Sequence, residues 1–159
     1  MPRKSLLLMM ALSMVAPAHS AEPATPAEPR PAYDAALAAR LGADERGMRK
    51  YVLVILKTGP TRVPDGAGRD AMFAGHFANM KRLADAGKLA VAGPFGQDPA
   101  GWRGLYVFAV ESIDEARALA ETDPVVVQGE MVAEYHEWYG TAAMMLIPEW
   151  HERLLPATP

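Results

Sequence analysis

The chain has 159 residues, half of them apolar, with 16 basic and 19 acidic side chains, a formal net charge of −3 and no cysteine. That is enough for one ordinary domain and a short extra segment. The missing cysteines exclude disulfides, thiolate nucleophiles, cysteine-ligated zinc and iron–sulfur clusters. The acidic balance speaks against nucleic acid as a partner, because neutralising phosphates takes a surplus of Lys and Arg.

The N-terminus has the three-part layout of a secretory signal peptide. Arg3 and Lys4 precede an apolar stretch from Ser5 to Ala16, and the small residues Ala18 and Ser20 stand where a signal peptidase reads them. The stretch is shorter than the roughly 20 residues a bilayer requires, and Pro17 closes it, so cleavage after Ser20 is expected rather than a membrane anchor. The expected destination is the periplasm, with no membrane association afterwards. Loss of Arg3 and Lys4 leaves 14 basic against 19 acidic residues.

Residues 21–32 are rich in Pro, Ala and Glu and read as an extended linker. Tyr33 to Leu41 reads as a short helix stopped by Gly42, with Tyr33, Leu37 and Leu41 on one docking face. The run Tyr51–Leu56 predicts a strand buried on both faces, and the Pro- and Gly-rich stretch from Thr58 to Gly68 a loop. Arg69 to Ala86 predicts a helix with Phe73, Phe77, Met80, Leu83 and Ala84 on its apolar face, ended by Gly87. Leu89–Ala92 reads as a short strand turned by Gly93-Pro94, and Leu105–Val110 as a third strand. Ser112 with Glu115 three residues on marks a capped helix start. Asp123-Pro124 opens a short helix, and Met131–Trp138 is the fourth strand.

The order β-α-β-β-α-β is the ferredoxin-like arrangement of an α+β domain. The expected division is a signal peptide at 1–20, linker and short helix at 21–48, the domain at 49–140 and a C-terminal extension at 141–159. A four-stranded sheet with helices on one face leaves its other face bare. The apolar tail, opened as a helix by Pro148-Glu149-Trp150, is expected to cover something, most simply a partner subunit.

Few residues invite chemistry. His76 follows Phe73 by three and precedes Met80 by four, which aims its imidazole at the sheet. It is either a general acid/base or a core histidine with both nitrogens satisfied. Asp123 before Pro124 is a helix cap, an acid that orients the histidine, or both at once. Arg103, at the entry to the third strand, suits an anionic substrate group or merely decorates a strand end. Lys57 is an equally weak gate candidate. Glu134, His136 and Trp138 alternate along the last strand and share a face that would line a pocket between subunits. No HxxxH or HxH spacing supports a metal, and no phosphate-binding glycine loop or nucleophile elbow is present. Neither a metal nor a cofactor is expected.

Several segments together carry a family resemblance over about residues 50 to 140. They are Phe73-Ala74-Gly75-His76 through Leu83, Gly87-Lys88-Leu89 into Ala92-Gly93-Pro94-Phe95, Arg103-Gly104-Leu105-Tyr106-Val107-Phe108, Ser112–Ala116 and Asp123-Pro124. The chain resembles the YciI-like (YCII-related) proteins. The resemblance implies a ferredoxin-like domain that pairs into a dimeric α/β barrel, with His76 and Asp123 as a pair beside a pocket between helices and sheet. It also implies likeness in fold to muconolactone isomerase, and some relatives act on chlorinated aromatic diols. The export signal, linker and C-terminal extension depart from the small cytoplasmic members.

Two functional classes follow as expectations. One is a cofactor-independent isomerase or lyase, in which His76 moves a proton on a small organic molecule, Asp123 fixes its tautomer, and Arg103, Phe73, Pro94 and His136 contact substrate. The other is a module that binds a small molecule, or merely dimerises, without chemistry.

Overall fold

The computed structural model of the chain describes residues 31–156, and the apolar runs within them pair into one sheet. The proposed signal peptide and most of the Pro-rich segment lie outside the described residues. Strands β1 (Met48–Thr58), β2 (Leu89–Pro94), β3 (Trp102–Phe108) and β4 (Met131–Thr141) are arranged in the order β2-β3-β1-β4, every neighbour antiparallel. With helices α2 (Ala67–Asp85) and α3 (Ile113–Ala120) after β1 and β3, this is the ferredoxin-like topology. Among the described residues no helix is long and apolar enough to cross a membrane.

Period-2 alternation along the central strand sorts its side chains between two faces. Val52, Val54 and Leu56 point to one, where Tyr106 and Phe108 of β3 join Met72 and Leu83 of α2 and Ala116 and Ala120 of α3 in the main core. Tyr51 points to the other, with Ala90, Val107 and Ala109. Each large apolar side chain buried this way contributes about 1.5–3 kcal/mol, so a central strand loaded on both sides anchors the domain.

The loop after β1 is pinned by one buried acid. Glu130, just ahead of β4, accepts from the Val63 N–H at 2.8 Å and from Arg69 at 2.7 Å, while Arg69 also donates to the Val63 carbonyl at 2.9 Å. Helix α1 (Ala35–Leu41) starts at Asp34, whose carboxylate accepts from the Leu37 N–H at 2.9 Å, and stops at Gly42 in the left-handed region at φ 66°. Leu41 is buried, but Tyr33 is 83% exposed. Tyr33 precedes the cap, so the helical spacing that would have aligned it with Leu37 does not apply.

The structure corrects three other expectations. Gly93-Pro94 does not turn the chain: both residues stay in β2, opposite Leu105 and Gly104. The third strand begins three residues early, at Trp102, and ends at Phe108. One residue of the expected α2 face falls outside it: Phe73, Met80 and Ala84 pack against the core and Met72, His76, Asn79 and Leu83 are buried, whereas Phe77 is 60% exposed. The buried set has a strict i, i+4, i+7, i+11 spacing, and it includes a polar Asn because Arg82 and Thr122 donate to its oxygen at 2.6 and 3.1 Å. The start of the tail packs on its own chain, while Trp150 and Leu155 further on stay exposed. After β4 a 3₁₀ turn (Ala142–Leu146) lays Met144 and Met145 against Tyr51, Ala90 and Val107, on the face of the sheet away from α2 and α3. Helix α5 (Ile147–Glu152) then runs beside β2.

Candidate functional site

The position of the site follows from a close approach between helices. Helix α4 (Pro124–Val127) begins at Asp123, which caps it by accepting from the Val125 N–H at 3.1 Å, with Pro124 as the first helical residue. Pro124 rests on Gly75 of α2: a Cβ there would lie 3.0 Å from the proline ring. Glycine at this point lets α4 come close enough for Asp123 to meet the next residue of α2, His76.

They meet inside the protein. His76 is 8% exposed and Asp123 is fully buried. The His76 Nδ1 lies 3.0 and 2.9 Å from the two Asp123 oxygens. The Tyr106 hydroxyl, from β3, donates to Asp123 Oδ2 at 2.6 Å and sits 3.2 Å from His76 Nδ1. Asp123 thus collects three donors: an imidazole, a phenol and a backbone amide. Burial acts to raise its pKa, but the hydrogen bonds from His76 and Tyr106 outweigh it, and the carboxyl is held below its ordinary value. Burial, and then the carboxylate it donates to, push the Tyr106 phenol upward and keep it protonated.

This arrangement assigns the imidazole tautomer. A carboxylate has only lone pairs to offer, and the phenol spends its one proton on Asp123, so Nδ1 must carry the hydrogen. Nε2 makes no hydrogen bond among the described residues. The ring lines a cavity of about 400 Å³ together with Phe73, Phe77, Pro94, Arg103 and Tyr106. The sequence candidates Arg103, Phe73 and Pro94 therefore gather around His76. Arg103 is the only Lys or Arg in this lining. It stands 3.8 Å from Glu130, whose carboxylate is engaged more tightly by Arg69. Those interactions, the Arg69 hydrogen bond above all, hold Glu130 down to about 2 against the desolvation that would raise it.

His136 does not join this group. It is paired opposite Leu53 on the other face of the sheet, exposed, with Nε2 2.8 Å from Glu134. Glu134 also accepts from Lys57 at 3.1 Å. Among the described residues no three His, Asp or Glu side chains gather in a way that suits a metal ion. Sequence reasoning missed Tyr106, Glu130 and Arg69. For Tyr106 a signal existed: alternation along β3 puts it on the same face as Gly104 and Phe108, and a buried phenol needs a partner.

The family model described as the YCII-related domain matches residues 48–139. A curated relative from Bacillus subtilis (strain 168), "Uncharacterized protein YjpA", is 35% identical over 65 residues, 41% of this chain and 73% of that protein. Among solved structures, 5-chloro-2-hydroxyhydroquinone dehydrochlorinase (TftG) from Burkholderia phenoliruptrix, in complex with 2,5-dihydroxybenzoquinone, is 23% identical. That match has a TM-score of 0.40 and covers 55% of this chain and 92% of that one.

Proposed function

The chain belongs to the YCII-related domain family, and on that premise we propose that it is a cofactor-independent acid/base catalyst acting on a small oxyanionic organic molecule. The observation that carries this reading is the Nδ1 contact of His76 with a buried, triply bonded Asp123. With Nδ1–H committed there, the lone pair of Nε2 is the base.

The reaction class is isomerisation or elimination. Nε2 takes a proton from a carbon next to a carbonyl. The electron pair left behind moves onto the carbonyl oxygen, and Arg103 holds the resulting negative charge. In isomerisation the imidazolium returns its proton at another carbon. In elimination the electron pair expels a leaving group on the neighbouring carbon, and the imidazolium gives its proton to solvent. Asp123 remains ionised throughout and stabilises the imidazolium. Phe73 and Pro94 present apolar surface to the substrate, and Tyr106 keeps Asp123 in register.

In the same reading the protein is exported to the periplasm after cleavage near Ser20, carries the linker as a tether, and works as a dimeric α/β barrel. The uncovered part of the sheet, with Leu53, Leu105, Val132 and His136, forms the contact between copies. The test of the chemistry is a panel of enolisable and halogenated cyclic ketones and diols assayed with wild type and His76→Ala. Turnover is expected to fall by about 10²–10⁴ in the variant. Equal turnover in the two proteins removes His76 from the mechanism.

A further inference from the structure

The cavity beside His76 has a neighbour across α2. A second cavity of about 510 Å³ shares Phe77, Met80 and Ala92 with it. Its far wall is formed by Ile147, Pro148 and Leu155. Those residues belong to the C-terminal extension, beyond the family match at 48–139. Along this route Phe77 is 60% exposed, Ile147 44% and Leu155 52%. Large apolar side chains left open beside a pocket that holds His76 and Arg103 mark a place where apolar matter binds.

Charge separates the two ends. Arg103 is the cation of the first cavity. The second is edged by Asp85, Glu149, His151 and Glu152; Lys81 there is tied to Asp85 at 3.0 Å and Arg40 stands 3.8 Å from Glu149, which leaves the carboxylates in excess. An anionic group is attracted at the His76 end and repelled at the other.

We infer that the two cavities are one site, and that it takes an amphipathic monoanion. The oxyanionic head lies between Arg103 and His76, and an uncharged alkyl or aryl tail runs over Phe77, Met80 and Ala92 to the wall supplied by α5. This deepens the proposed function and rests on it for the head group: the family-wide part of the chain sets the chemistry, and the extension sets the length of the substrate. The lining shared with the His76 cavity, at Phe77, Met80 and Ala92, is what selects a small molecule, rather than a second copy of the chain, as the occupant.

The test uses the full chain and four probes at concentrations below micelle formation: acetate, hexanoate, decanoate and its two-headed counterpart decanedioate. Binding is followed by NMR at the His76 imidazole and the Ile147 methyl. Affinity is expected to rise about fourfold per methylene over the first part of the series, from about 0.8 kcal/mol per buried methylene. Decanoate shifts both reporters, and decanedioate binds at least tenfold more weakly than decanoate. Ile147 and Leu155 are 44% and 52% exposed, so Ile147→Asp and Leu155→Asp bury no charge. Each is expected to lower decanoate affinity tenfold or more against less than twofold for acetate, and Arg103→Met to weaken every probe. If decanoate binds no more tightly than acetate while both shift His76, the inference is overturned and the head pocket stands. If decanoate shifts Ile147 but not His76, the two cavities are separate and the inference fails. If no probe shifts His76, the proposed function fails with it. A concentration-dependent dimer that Ile147→Asp dissociates gives the groove to a second copy and overturns the inference.

Discussion

Two histidine–carboxylate pairs lie on opposite faces of the same sheet. His76 meets Asp123 at 2.9 Å and His136 meets Glu134 at 2.8 Å. The distances are alike and the surroundings are not. The first pair is buried under helices, with a phenol and a backbone amide completing the carboxylate. The second is solvated, and its carboxylate is shared with Lys57. Contact distance therefore says little about what a pair does. Burial strengthens the field between charges, and it makes every unmet donor costly.

The sharpest way to break this comparison is to remove the buried carboxylate. Asp123→Ala leaves an imidazole, a phenol and an amide without an acceptor, and is expected to destabilise the fold by about 3–5 kcal/mol, read from urea unfolding. The pH dependence has a defined sign. Asp123 has a folded pKa below its unfolded value, so its stabilisation is complete above roughly pH 4 and is lost as pH falls through the lowered value. Glu130 acts the same way between its ordinary 4.5 and about 2. The acid limb of the stability curve is expected to be shallower in Asp123→Asn than in wild type, and an unchanged limb would remove the buried pair as its cause.

Tyr106→Phe comes next. It deletes one donor from a carboxylate that keeps two, and should cost about 1–2 kcal/mol. A smaller effect is expected from Gly75→Ala. Alanine is the better helix former by about 1 kcal/mol, yet its methyl would press on Pro124 at 3.0 Å. The expected outcome is no gain in thermal stability, with altered chemical shifts at His76 as α4 moves away. A stabilised variant with unchanged shifts would show that the close approach does not matter. Smallest of all is Glu134→Gln: on the open face it should leave the melting temperature unchanged within error.

How much of this was legible beforehand depends on the range of the interaction. Strands, caps and the His76–Asp123 partnership showed in local patterns or in the family's motif order. Ser112 does cap α3, at 3.2 Å from the Glu115 N–H. The role of Tyr106 was hidden because a tyrosine in a β-run reads as core, and its partner is 17 residues away on another element. Glu130 was hidden for the same reason: it holds Val63 and Arg69, more than 60 residues earlier. Counting aromatic residues places Phe77 inside, whereas the structure buries Asn79, whose oxygen accepts from Arg82 and whose amide nitrogen has no partner among the described residues. The tail was legible only as apolar, because periodicity reveals an apolar face without saying which surface receives it. Met144 and Met145 found the chain's own sheet.

The central claim is that Asp123 and Tyr106 together leave His76 with a basic Nε2. The direct measurement is the ¹⁵N spectrum of the neutral His76 imidazole in the full chain. The account predicts the Nδ1–H tautomer, with Nε2 unprotonated and responsive to ligand. An Nε2–H tautomer in wild type would contradict it.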